Sequence, residues 1–113
     1  RVVLIDKREY FEYTPGILRL FCDASLYKTM VRPMPGFPHA FLCGTVTSIQ
    51  HNHVVVASKD AGTSRVEFDY LVLAMGADYR EPITPSASEV TLASRGSKWQ
   101  AEMAKLKAAE SVL

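Results

Sequence analysis

The chain opens on Arg1-Val2-Val3-Leu4-Ile5-Asp6, an uninterrupted apolar run that ends in one carboxylate. A strand wetted on one face alternates apolar and polar residues, whereas a continuous run of this kind predicts a parallel strand covered on both faces. The acid then sits at the carboxyl end of the strand, where open parallel sheets gather their ligands. A second run, Phe68-Asp69-Tyr70-Leu71-Val72-Leu73-Ala74-Met75-Gly76-Ala77, has the same character and ends in small residues. Two such runs predict an α/β chain with a parallel sheet.

The intervening sequence supplies helices and a meander. Thr14 to Phe21 carries Ile17, Leu18, Leu20 and Phe21, with Thr14 placed as an N-cap and Pro15 at the first helical position, where a missing N–H costs nothing. Ser25 is placed to cap a second short helix through Val31, and Pro33, Pro35 and Pro38 predict a loop. From Ala40 onward come short β-rich runs, "AFLC", "GTVTSI", "HVVVAS" and "RVEF", separated by Gln50-His51-Asn52 and Lys59 to Ser64. Turn chemistry between such runs predicts an antiparallel meander. Glu81-Pro82-Ile83-Thr84-Pro85 reads as a linker, and Ser97 to Glu110 as a helix with Trp99, Met103, Leu106 and Ala109 on one face. Trp99 is expected to anchor a core, with Lys98, Glu102, Lys105 and Glu110 mostly solvated.

Composition excludes several classes. A chain of 113 residues with 48% hydrophobic side chains can bury one core. The formal net charge of +1 and the lack of interleaved basic and aromatic residues argue against nucleic acid as a partner. No apolar run approaches the roughly 20 residues that span a bilayer. Cys22 and Cys43 have no Cys-x-x-Cys or metal-type spacing and are expected to be ordinary buried or partly buried thiols. His39, His51 and His53 form no convincing metal set and are expected at the surface; no metal site and no catalytic acid, base or nucleophile is assigned.

The strand-end motifs resemble one family. "DYLVLAMGA" at Asp69 to Ala77 is similar to the "D-x-L-V-I-A-T-G-S" strand that closes the FAD domain of the pyridine nucleotide-disulfide oxidoreductase superfamily, with Met75 in place of threonine. "KREYFEYTPGILRL", after Asp6, resembles the "D-x-x-x-x-F-x-x-x-P-x-L" pattern of the branch of type II NADH dehydrogenases and apoptosis-inducing-factor-like quinone reductases. The fold this implies is a partial Rossmann-like FAD-binding domain with an inserted antiparallel β-meander and a C-terminal helix. Residues 1–80 would hold its second strand, short helices, meander and closing strand, and residues 81–113 a linker and helix leading to an NAD(P)H-binding domain that is absent. Ser111-Val112-Leu113 would open that domain.

By the same resemblance, Asp6 binds the adenosine ribose hydroxyls, although a loop acid in solvent would look alike. Lys7 reaches adenine, phosphate or solvent; Thr14 and Pro15 pass the flavin or merely cap a helix. Val46 offers its backbone to the adenine edge, and Ala74, Met75 and Gly76 leave room for the cofactor. Tyr10, Phe11 and Tyr13 line the flavin or quinone side, or pack in a core. The glycine-rich turn expected about 20 residues before the ribose acid does not precede Asp6. The chain, which begins without methionine, is therefore read as a piece of a longer protein, inactive by itself, with its first strand missing from the middle of a sheet.

The activity implied is electron transfer from NAD(P)H as co-substrate, through FAD, to a small-molecule acceptor such as a quinone. Peripheral membrane association and homo-oligomerisation of the whole protein are compatible with this, in a mitochondrial or cytoplasmic setting. The alternatives are a ferredoxin- or nitrite-reductase-type flavoprotein and a non-catalytic α/β interaction module.

Overall fold

The computed structural model describes residues 1–34, 39–58 and 61–111. The chain mixes helix and strand in small sheets and ends in a long helix. Its strands are β1 (Val3–Asp6), β2 (Tyr10–Glu12), β3 (Val31–Pro33), β4 (Ala40–Cys43), β5 (Thr45–Ile49), β6 (His53–Ser58) and β7 (Gly62–Glu67). Its helices are α1 (Tyr27–Met30) and α2 (Leu92–Ala108), with 3₁₀ helices at Thr14–Phe21 and Ala24–Leu26. These fall into two compact units, Arg1–Arg8 with Gly36–Ala77 and Glu9–Pro35 with Asp78–Leu113.

In the first unit β1 is a parallel strand, as expected, paired with β4 from Val3↔Ala40 to Asp6↔Cys43. The ladder continues at its end, where the Gly44 N–H donates to the Asp6 carbonyl at 2.8 Å. All four residues of β1 are half-buried rather than buried, because this sheet has two strands and a single neighbour cannot cover an apolar strand on every side. Strands β5, β6 and β7 form the antiparallel meander. The central strand β6 buries alternate residues, Val54 and Val56, as its two-residue period requires. The run "AFLC" belongs to the parallel pair and not to the meander. Gly44 joins the two sheets. A Cβ there would lie 2.7 Å from Val56 Cγ1 and 2.9 Å from the Ala57 carbonyl oxygen, so only glycine fits this approach.

After β7 the structure departs from the sequence expectation. The Phe68 N–H donates to the Asn52 carbonyl at 3.1 Å, and the expected closing strand does not form: Leu71 to Ala77 is irregular and exposed. A strand exists only through a neighbour that takes its backbone hydrogen bonds. Among the described residues, none is made by the backbone of Tyr70 to Ala77.

In the second unit β2 and β3 pair antiparallel. Pro33 thus lies in a strand, not in the predicted loop; Pro35 and Pro38 lie outside the described residues, as do Lys59 and Asp60 of the meander turn and Val112 and Leu113. The ladder tolerates Pro33 because the N–H of Met34 donates to the Glu9 carbonyl at 2.7 Å. Residues Thr14–Phe21 wind as a 3₁₀ helix, whose three residues per turn align Ile17 and Leu20 on the buried side. Tyr13, not Thr14, occupies the N-cap position, without a side-chain cap. The next cap is Asp23, whose carboxylate accepts from the Ser25 N–H at 2.9 Å, in place of the predicted Ser25. Helix α2 starts at Leu92, five residues before the predicted Ser97, because Thr91 and Ser94 form a reciprocal capping box. Its Trp99 is fully buried with Ile17 and Leu20, as expected of a core anchor, and Phe21, Leu26, Tyr27, Met30 and Ile83 pack around them. Ile83 gives the predicted linker a place in this core.

Candidate functional site

Asp6 closes β1 with its carboxylate Oδ1 accepting the Arg8 N–H at 2.9 Å, a local turn that holds the side chain at the strand tip. The other carboxylate oxygen has no partner among the described residues. Cys43 faces Asp6 across the ladder, its Sγ 3.8 Å from the Lys7 carbonyl oxygen. Gly44 then carries the chain into β5, an edge strand of the meander. Part of the β5 backbone therefore points away from β6, as edge strands require. Val46 pairs with Val56 next to a register shift between Val46 and Ser48, and its side chain is partly exposed. One end of this unit thus gathers Asp6, Lys7 and the segment leading to Val46.

The other residues singled out by sequence lie on other elements. Thr14 and Pro15 open the 3₁₀ helix of the second unit and are both exposed. Ala74, Met75 and Gly76 lie on the irregular segment after β7, where Met75 is 87% exposed. Gly76 takes a φ of +71°, which glycine accepts at no steric cost, and nothing approaches its Cβ position within 4 Å. The aromatic trio divides as alternate strand positions do: Tyr10 is buried, its hydroxyl donating to the Glu89 carbonyl at 2.8 Å, while Phe11 and Tyr13 are exposed. Cys22 is exposed, contrary to expectation, Cys43 is half-buried, and the two are not disulfide-linked. His39 and His51 are exposed and His53 is half-buried. Among the described residues no cluster of His, Cys, Asp or Glu could hold a metal ion.

A charged cluster that sequence reasoning missed lies in the second unit. Arg95 on α2 is fully buried, and its guanidinium grips Glu12 through Nε and Nη2, both at 2.8 Å. Nη1 donates to Glu89 at 2.7 Å and Nη2 also to the Ile83 carbonyl at 2.9 Å. The guanidinium carbon lies 4.9 Å from the centre of the Trp99 ring. Burial works to raise the Glu89 carboxyl, but hydrogen bonds from the Ser86 hydroxyl, Arg95 and the Ser86 N–H, together with the guanidinium charge, hold it below the usual carboxylate range. Burial likewise opposes the charge on Arg95, and the hydrogen bonds and charges of Glu12 and Glu89 outweigh it. Among the described residues every buried side-chain polar atom has a partner. The cluster therefore ties α2 to β2 and to the Ile83–Glu89 segment and leaves no open valence for a ligand. Its signal in sequence is an arginine one helical turn before Trp99, on the stripe that continues through Met103, since a buried guanidinium demands carboxylates.

Comparison with protein-family models, with curated proteins and with solved structures finds no match. Among the described residues no helix is long and apolar enough to cross a membrane.

Proposed function

We propose that this chain is the FAD-binding part of a flavin-dependent NAD(P)H oxidoreductase similar to type II NADH dehydrogenases and apoptosis-inducing-factor-like quinone reductases. The observation that carries the reading is Asp6 at the tip of a parallel strand, with one carboxylate oxygen committed to the Arg8 N–H and the other available. A carboxylate so placed accepts hydrogen bonds from the vicinal hydroxyls of a ribose and repels a 2′-phosphate, as FAD requires. The Gly44 N–H bond to the Asp6 carbonyl supports this reading, since it brings the start of the edge strand β5 to the same end, where its backbone groups would meet the adenine edge. FAD, when bound, would take hydride from NAD(P)H and pass electrons to a quinone or another acceptor, while the protein supplies placement and electrostatics. Asp6 would orient the adenosine and Lys7 would flank it.

The test is retention of the yellow flavin spectrum by the whole protein. Asp6→Ala should weaken FAD binding by about 1.5–3 kcal/mol, the range for a hydrogen bond to a charged group. Unchanged occupancy after dialysis of the variant would remove Asp6 from the site. A second reading, a non-catalytic α/β interaction module, is favoured by the apolar segment exposed after β7. A whole protein that purifies without flavin and gains none on titration would select it.

A further inference from the structure

We draw no further inference here: the strongest candidate, the hollow at the end of the meander lined by Asn52, Glu67, Phe68 and Asp69, carries nothing, because it offers only two exposed acids, of which Glu67 is already paired with Arg65, and among the described residues no buried polar side chain is left without a partner to point into it.

Discussion

Trp99 and Val72 are both large apolar residues, Trp99 flanked by Lys98 and Gln100 and Val72 inside an uncharged apolar run, and they end in opposite states: Trp99 is fully buried, whereas Val72 is 84% exposed. The difference lies in where each element finds its hydrogen bonds. Helix α2 closes its backbone bonds within itself, so its apolar stripe needs only a surface to lie on. The 3₁₀ helix Thr14–Phe21 of the same unit provides that surface. An extended run such as Tyr70 to Ala77 has neither bonds nor cover until another strand lies beside it. Apolar content therefore says that a segment wants burial, and the type of element decides whether one chain can satisfy it.

The comparison is broken most severely at Arg95. Arg95→Ala leaves the carboxylates of Glu12 and Glu89 buried without their cation, and should cost about 3–5 kcal/mol in urea unfolding. A loss below about 1 kcal/mol would mean that the second unit owes its order to apolar packing alone.

Acid tests the same cluster with a smaller effect. The carboxyl of Glu89 titrates lower in the folded chain than in the unfolded one, so the unfolded state binds more protons as pH falls through the carboxylate range. Its contribution is complete above the unfolded value and is lost as the pH drops through the folded one. Melting temperature should therefore fall on acidification through this range, and Glu89→Gln should flatten the dependence. An equally steep acid profile in Glu89→Gln would assign the effect to other carboxylates.

The smallest effect is expected in the exposed region. Val72→Ser in dilute protein should change stability by no more than about 0.5 kcal/mol, as surface substitutions do. A loss above about 1.5 kcal/mol, the cost of removing a buried aliphatic side chain, would show that Val72 packs within the single chain and would erase the contrast with Trp99.

Several elements were legible from local chemistry. The alternation and turn residues from Thr45 to Glu67 announce the meander, and Arg1 to Asp6 announces a strand whose parallel pairing the structure bears out. Trp99, Met103 and Leu106 announce a helix with a core face. Two caps were misplaced by one or two residues because Thr14 and Ser25 are both competent cap residues, and only the surrounding backbone selects Tyr13 and Asp23 instead. Glu12 and Glu89 could not be joined to Arg95 from sequence, since Glu12 is separated from Arg95 by 83 positions.

By itself the sequence determined that the stretches from Thr14 to Phe21 and around Trp99 are helical, that the meander runs are extended, and that an acid ends the first strand, because propensity, period and turn chemistry act over a few residues. Tertiary structure alone decided that "AFLC" joins β1 and not the meander, that Gly44 must admit Val56, and that Arg95 is held between two carboxylates. It also decided that, among the described residues, Tyr70 to Ala77 makes no backbone hydrogen bond. Each of these depends on which distant groups meet, and strand pairing, close approach and burial of charge take their energies from that encounter.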